Sequence, residues 1–222
     1  MIQTKICGLT TEPALAAALD NGATHVGFVF FAKSPRNISH TDAARLANIA
    51  RGRCKIVALT VDADDAALNA IIEHVSPDVL QLHGHESPER TAAIRSRSGR
   101  PVWKAIPVAT ADDAAGASAY LPAADRILFD AKPPRGGAGP DGKSAPLPGG
   151  NGLAFDWSAL DSMRGQFPFM LSGGLTSENV TDAIRATSPW GVDVSSGVET
   201  SPGVKDPELI QRFLRAVSNG SM

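Results

Sequence analysis

The most informative part of the sequence is a pair of glycine-bearing stretches, Leu171-Ser172-Gly173-Gly174-Leu175 and Val194-Ser195-Ser196-Gly197-Val198. Each follows a short apolar run and precedes a segment with a helical pattern. Glycine lets backbone N–H groups approach an anion closely, and the start of a helix adds partial positive charge. Two such turns predict a phosphate site, although ordinary strand-to-helix turns have a similar composition. The predicted donors are backbone N–H groups of Gly173, Gly174, Ser196 and Gly197.

Working outward from these turns, strand-like runs rich in β-branched residues alternate with alanine-rich segments of helical pattern. The eight predicted strands cover residues 2–7, 25–30, 55–61, 79–83, 102–106, 126–130, 169–172 and 191–195. Strict alternation indicates parallel strands joined by helical crossovers. Eight such units in 222 residues suit a closed barrel better than an open sheet of five or six strands. We therefore predict an α/β fold, a single-domain (β/α)8 TIM barrel over residues 1–222.

One stretch interrupts this alternation after the predicted sixth strand. Residues 131–154 are rich in proline and glycine, as in Pro133-Pro134-Arg135-Gly136-Gly137, which is incompatible with a helix. A loop of this length in a compact domain is usually either functional or a disordered insertion. Because the predicted sixth strand leads directly into it, we expect an active-site loop.

The composition argues against several classes of protein. A formal net charge of −2 provides no basic surface for nucleic acid, and no apolar run reaches the length of a membrane span. The two cysteines, Cys7 and Cys54, do not indicate a disulfide framework, and we expect Cys54 to be structural. The first residues have a strand pattern rather than that of a signal peptide. We expect a cytoplasmic protein that binds neither nucleic acid nor a membrane.

The predicted strand ends carry the side chains that could perform chemistry. In a barrel these ends point to one common mouth. The first strand ends at Cys7, the second leads to Arg36, the fourth ends at His83 and the sixth at Asp130. No cluster of histidines and carboxylates has the spacing of metal ligands. The set predicts acid–base chemistry on a small phosphorylated molecule, without a metal or a cofactor. Taken alone, a cysteine at a strand end is more often a small buried apolar residue, and Asp130 could instead be a helix N-cap or the partner in a loop salt bridge.

Longer motifs surround these residues along nearly the whole chain. They are Lys5-Ile6-Cys7-Gly8-Leu9-Thr10, Ser34-Pro35-Arg36, Gln81-Leu82-His83-Gly84, Gly150-Asn151-Gly152 with Phe155-Asp156-Trp157, and the two glycine turns, the second extended over residues 191–199. In this order they resemble the phosphoribosylanthranilate isomerases, a family of (β/α)8 barrels. The resemblance implies an Amadori rearrangement of a phosphorylated sugar–anthranilate substrate in tryptophan biosynthesis. It is compatible with a monomer or a homodimer.

The resemblance also implies roles for individual side chains. Cys7 becomes the general base and Asp130 the general acid. Arg36 is placed to bind the anthranilate carboxylate, for which a planar guanidinium suits a bidentate contact. His83 matches a position near the acid, and its role is open. Gln81 and Asp193 either contact the ribose or order the site. The candidate substrate-binding residues are Arg36, Gln81, His83 and Asp193.

The chemistry sets a requirement for each catalytic group. Ring opening needs a proton for the ring oxygen, and enolamine formation needs removal of the C2 proton of the Schiff base. A thiol with a pKa near 8.5 needs roughly 2 kcal/mol of help to be mostly thiolate at pH 7. A carboxyl group with a pKa near 3.9 needs up to about 4 kcal/mol to remain usefully protonated.

Two alternatives stay open at this point. One is another phosphosugar barrel enzyme, such as a phosphoribosyl-aminoimidazole isomerase or a ribulose-phosphate epimerase, which would ordinarily carry paired aspartates or metal-binding histidines. The other is a catalytically silent barrel that senses a sugar phosphate.

Overall fold

The computed structural model of the chain describes residues 2–132, 149 and 155–220, and within them eight parallel strands form a closed barrel in sequence order. The strands are β1 (Gln3–Cys7), β2 (His25–Phe30), β3 (Lys55–Thr60), β4 (Val79–Leu82), β5 (Val102–Val108), β6 (Arg126–Ala131), β7 (Phe169–Leu171) and β8 (Gly191–Val194). The predicted barrel is confirmed, and each predicted strand agrees with an observed one to within two residues at either end. That residues 1–222 form a single domain stays a prediction.

Helices cover the outside of the barrel. They are α1 (Glu12–Asp20), α2 (His40–Ala50), α3 (Asp65–Val75), α4 (Pro88–Ser98), α5 (Ala111–Ala115), α6 (Val180–Thr187) and α7 (Pro207–Gly220). Three 3-10 helices, Gly116–Tyr120, Trp157–Met163 and Ser196–Val198, complete the described helical segments. A small antiparallel hairpin, β9 (Glu199–Ser201) and β10 (Val204–Lys205), follows the last of these. None of the helices in the described ranges combines the length and the apolar character needed to cross a membrane.

Helix α7 illustrates how the sequence pattern packs these helices on the barrel. Its buried side chains are Ile210, Phe213, Leu214 and Val217. They recur at intervals of three and four residues and therefore form one apolar face. This face lies against the barrel and the neighbouring helices α1 and α6.

The predicted loop of residues 131–154 differs from the structure at its start, because Ala131 pairs with Val108 and ends β6. Lys132 and Gly149 are also described, whereas residues 133–148 and 150–154 lie outside the described residues. Within residues 133–154, the prediction of an active-site loop can therefore be compared with the structure only at Gly149.

An aromatic cluster closes the N-terminal end of the barrel around His25. The ring centroid of His25 lies 5.1 Å from that of Trp103 and 5.8 Å from that of Trp190. Nδ1 of His25 lies 2.8 Å from the hydroxyl of Thr24. Burial lowers the pKa of His25 from 6.5 to about 4. The imidazole is therefore neutral in the folded protein at neutral pH.

This histidine predicts a pH dependence of stability. Its folded-state pKa lies below its unfolded value, so the unfolded chain binds more protons between about pH 4 and pH 6.5, and stability falls as the pH falls through this range. We expect His25 to lower the free energy of unfolding by about 2 kcal/mol between pH 7 and pH 5. A His25→Phe variant should lack this contribution in urea unfolding measured at both pH values. The same pH dependence in variant and wild type would contradict the prediction.

The barrel strands are mostly apolar, as expected for parallel strands that are covered on both faces. Several of their polar side chains nevertheless have less than a tenth of their surface exposed, among them Lys5, Gln81, Lys104, Asp130 and Asp193. Charged side chains are rarely so buried unless they are paired. Four of these five residues, all except Lys104, lie in or beside the site at the C-terminal end of the barrel.

Candidate active site

One pocket at the C-terminal end of the barrel brings the two predicted catalytic residues together. Cys7 ends β1 and Asp130 lies near the end of β6, and only 4% of each is exposed. The polar lining of the pocket includes Cys7, Arg36, His83, Asp130, Asp193 and Ser195. Of the predicted site residues, Gln81 lies behind this lining and reaches the pocket through His83.

The apolar part of the pocket lies on the side of Cys7. Val29 and Leu59 form a buried cluster with Cys7, and Phe31 and Val61 pack against that cluster. All four of these apolar residues line the pocket. The cavity therefore has one wall that suits an aromatic or aliphatic group and another that carries charges.

Cys7 lies next to a buried ion pair between Lys5 and Asp193, which the sequence does not predict. The ammonium nitrogen of Lys5 lies 3.0 Å from both carboxylate oxygens of Asp193. Burial raises the pKa of the Cys7 thiol, while the positive charge of Lys5 opposes this shift. For Lys5 burial favours the neutral amine, but the negative charges of Asp193 and of the Cys7 thiolate together outweigh this effect, and the pKa of Lys5 is raised. The ammonium group that Asp193 holds therefore lies beside the thiol.

Gly27 on β2 explains how the thiol and the ammonium group pack so closely. A Cβ at this position would lie 3.0 Å from Cε of Lys5 and 3.2 Å from Sγ of Cys7. Such contacts are tighter than ordinary van der Waals packing allows, so a side chain here would push the two groups apart. The absence of a side chain on Gly27 lets β2 lie directly against both.

Asp130 forms the opposite side of the pocket, in contact with His83. Nε2 of His83 lies 3.1 Å from Oδ2 of Asp130, and Nδ1 of the same ring lies 3.1 Å from Nε2 of the buried Gln81. The other oxygen, Oδ1, accepts a hydrogen bond of 2.9 Å from the backbone N–H of Ala131. Gly149 covers this pair, since a Cβ there would lie 2.5 Å from Asp130 Oδ2 and 2.7 Å from His83 Nε2. The carboxyl group is therefore held in one orientation by its surroundings.

Arg36 reaches the pocket from the loop after β2 and is 4% exposed. Its Nε and Nη2 atoms donate to the two carboxylate oxygens of Glu199 at 2.7 and 2.8 Å. Glu199 also accepts from Nζ of Lys205 at 2.5 Å. The guanidinium is therefore fixed by a buried carboxylate while it lines the pocket.

The two glycine turns lie side by side at the ends of β7 and β8. A Cβ on Gly197 would overlap the carbonyl oxygen of Leu175, so the second turn packs directly on the first. Gly173 and Gly174 both have positive φ angles, 91° and 60°, which favour glycine. Gly173 also lies against the backbone of Ala131, where a Cβ would be 2.5 Å from the amide nitrogen. Ser195, which begins the second turn, lines the pocket.

The sequence alone predicts no role for Lys5, Glu199 or Lys205. Lys5 and Glu199 lie inside the quoted motifs, two residues before Cys7 and two after Gly197, and this proximity is the signal that could have identified them. Lys205 has no comparable signal, because a lysine in a short hairpin is normally a solvated surface residue.

Comparisons with known proteins point in the same direction as this geometry. A family model described as N-(5'phosphoribosyl)anthranilate (PRA) isomerase matches residues 4–216. The N-(5'-phosphoribosyl)anthranilate isomerase of Chelativorans sp. (strain BNC1) is 55% identical over 213 residues, which cover 96% of this chain and 94% of that protein.

Solved structures give the same result. The phosphoribosyl anthranilate isomerase from Thermotoga maritima matches with a TM-score of 0.85 and 35% identity, covering 99% of this chain and 100% of that chain. A phosphoribosyl anthranilate isomerase in complex with reduced 1-(o-carboxyphenylamino)-1-deoxyribulose 5-phosphate matches with a TM-score of 0.83 and 33% identity, with coverage of 99% and 100%. The chain belongs to the N-(5'-phosphoribosyl)anthranilate isomerase family.

Proposed function

We propose that this protein catalyses the Amadori rearrangement of N-(5'-phosphoribosyl)anthranilate to 1-(o-carboxyphenylamino)-1-deoxyribulose 5-phosphate. The observation that carries the proposal is that Cys7 and Asp130 line one pocket together with Arg36 and the start of a glycine turn. This arrangement offers a base, an acid, a carboxylate-binding cation and a phosphate-binding backbone to a single small molecule. The reduced form of that product in the family structure described above fits the same proposal.

The two charged groups of the proposed substrate, its phosphate and its carboxylate, bind at different sides of the pocket. The phosphate binds to backbone N–H groups of the two glycine turns, where Gly173, Gly174, Ser196 and Gly197 let the backbone come close to an anion. The anthranilate carboxylate binds to Arg36, and its aromatic ring packs on the apolar wall beside Cys7. The ribose then lies between Cys7 and Asp130.

Asp130 acts first in the proposed sequence. Its carboxyl proton passes to the ribose ring oxygen as the bond between that oxygen and C1 breaks, and the nitrogen lone pair completes a Schiff base. Asp130 becomes a carboxylate, which His83 stabilises through the contact at Oδ2.

Cys7 acts in the second step. Its thiolate removes the proton from C2 of the Schiff base, and the electron pair forms the double bond of the enolamine. The enolamine then takes up a proton at C1 and loses the proton of its C2 hydroxyl group, which gives the ketose. Cys7 releases its proton to solvent and Asp130 takes one up, so that the rearrangement consumes no proton overall. Because burial opposes ionisation of the thiol, the ammonium group of Lys5 has to stabilise the thiolate. Asp193 keeps Lys5 charged and in place.

An assay with the proposed substrate tests the function directly. Purified protein is mixed with freshly prepared phosphoribosylanthranilate, and the loss of anthranilate-type fluorescence is followed over time. We expect the loss to be much faster than the spontaneous decay of the substrate in buffer. A rate equal to spontaneous decay would refute the proposed function and favour another phosphosugar ligand.

Arg36 provides a test of substrate recognition. We expect an Arg36→Met variant to raise the Michaelis constant by about 10- to 100-fold, the value of a lost charge-assisted bidentate contact, with a smaller change in turnover number. The exposed Lys33 on the same loop offers a matched control, and Lys33→Met should leave both constants near the wild-type values. An unchanged Michaelis constant in Arg36→Met would argue against carboxylate recognition by this residue.

Direct contact of Gln81 or Asp193 with the ribose stays a prediction, since the contacts seen here join them to His83 and Lys5. A cytoplasmic location and a monomeric or homodimeric state also stay predictions.

A further inference from the structure

The hairpin of β9 and β10 lies between the two loops that are proposed to bind the ends of the substrate. It begins at Glu199, directly after the second glycine turn. Its turn residue Gly203 packs on the loop that carries Arg36, because a Cβ there would lie 2.5 Å from the carbonyl oxygen of Pro35. The hairpin therefore touches the residue next to Arg36 and is covalently continuous with the turn.

Glu199 forms the first half of a buried connection. Its carboxylate accepts both hydrogen bonds from Arg36, a third from the backbone N–H of Gly203 at 3.2 Å, and a fourth from Lys205. The side chains of Arg36 and Glu199 are each 4% exposed. Separating the two members of such a buried pair would leave each charge without compensation, so Arg36 and Glu199 are held firmly together.

Lys205 forms the second half. Besides Glu199, its ammonium nitrogen contacts the backbone oxygen of Ser195 at 2.9 Å and the hydroxyl of Ser195 at 3.1 Å. That hydroxyl donates to the backbone oxygen of Cys7 at 3.2 Å. The connection thus runs from Arg36 through Glu199 and Lys205 to the start of the second glycine turn and to the strand that carries the proposed base.

We propose that Glu199 and Lys205 are positioning residues that hold Arg36 at a fixed distance from the second glycine turn, so that the carboxylate and the phosphate of one substrate molecule are bound together. This inference rests on the proposed function. A free arginine side chain loses much rotamer entropy when it binds a ligand, and a guanidinium that is already fixed loses less. A ligand with both groups gains from the fixed spacing, whereas a ligand with one group does not.

Three binding measurements at pH 7 test the proposal, with reduced 1-(o-carboxyphenylamino)-1-deoxyribulose 5-phosphate as the ligand with two groups and inorganic phosphate as the ligand with one. Burial lowers the pKa of Lys205 to about 8, so its ammonium group is still largely charged at this pH. In Glu199→Gln we expect the dissociation constant of the two-group ligand to rise at least about tenfold. That of phosphate should change less than about threefold. In an Arg36→Met background, Glu199→Gln should change the dissociation constant of the two-group ligand less than about threefold, because the residue that Glu199 positions is gone.

Lys205→Met approaches the same connection from the other end. This variant should raise the dissociation constant of the two-group ligand at least about tenfold, and should raise it much less in the Arg36→Met background. Glu208→Gln is the matched control, since Glu208 is an exposed glutamate paired with Arg212 at 3.4 Å on α7, and it should bind both ligands like wild type. Circular dichroism checks that each variant is folded, and Lys205→Met carries the test where Glu199→Gln is not.

The outcomes separate this inference from the proposed function. Wild-type protein that fails to bind the two-group ligand would refute the proposed function itself. If the wild type binds the two-group ligand, three results would overturn the positioning role and leave the proposed function standing. These are an equal loss of affinity for both ligands, an equal loss of affinity with and without Arg36→Met, and no loss of affinity in the variants.

Discussion

An Asp130→Asn variant is expected to turn over phosphoribosylanthranilate at least about 100-fold more slowly than the wild type. The amide has nearly the same size as the carboxyl group, so its packing against His83 and Gly149 is preserved. An amide cannot deliver a proton to the ribose ring oxygen, and ring opening then depends on water. Binding of the reduced ketose phosphate should change far less than turnover, because the lost interaction belongs to the transition state.

The measurement is the rate of fluorescence loss at saturating substrate, combined with the dissociation constant of the reduced ketose phosphate. Asp182→Asn is a suitable control, since Asp182 is exposed on the outer helix α6, does not line the pocket and pairs only loosely with Arg185 at 3.6 Å. It should keep the wild-type rate. An Asp130→Asn variant that binds the ligand and turns over like the wild type would remove Asp130 from the mechanism.

Cys7→Ser is expected to have an effect of similar size, a loss of at least about 100-fold in turnover number. A hydroxyl group ionises much less readily than a thiol, so the C2 proton of the Schiff base loses its acceptor. The smaller oxygen atom fits the space between Gly27 and the apolar wall, and the fold should be unaffected. The Lys5 ammonium group cannot compensate, because it is charged and has no lone pair to accept a proton.

Cys54→Ser is the matched control for this variant. Cys54 is half-buried, and burial raises the pKa of its thiol to about 11, so it is neutral at pH 7. We expect the control to keep wild-type turnover. A Cys7→Ser variant with wild-type turnover would show that another group removes the C2 proton.

Much of the fold could be predicted from the sequence because the relevant signals are local. Apolar runs such as residues 55–60 and 126–131 identify buried parallel strands without any knowledge of their partners. The position of Cys7 and Asp130 on one pocket then follows from barrel geometry, since the C-terminal ends of all strands share a mouth. Predicting that these two side chains share a pocket therefore required only the correct positions of the strand ends.

The supporting groups could not be predicted in the same way. Lys5 and Asp193 are separated by 188 positions and meet only because β1 pairs with β8 when the barrel closes. The contact of Arg36 with Glu199 joins the loop after β2 to the start of β9, 163 positions away. Local propensity carries no information about such pairs, and a buried lysine has the same sequence appearance as an exposed one.

The most direct test of the central claim is the turnover of a Cys7→Ser/Asp130→Asn double variant at saturating phosphoribosylanthranilate. If the thiol and the carboxyl group serve successive steps in one pocket, the double variant should react no faster than the slower single variant while it still binds the reduced ketose phosphate. A double variant that binds this ligand and reacts within about tenfold of the wild type would contradict the account.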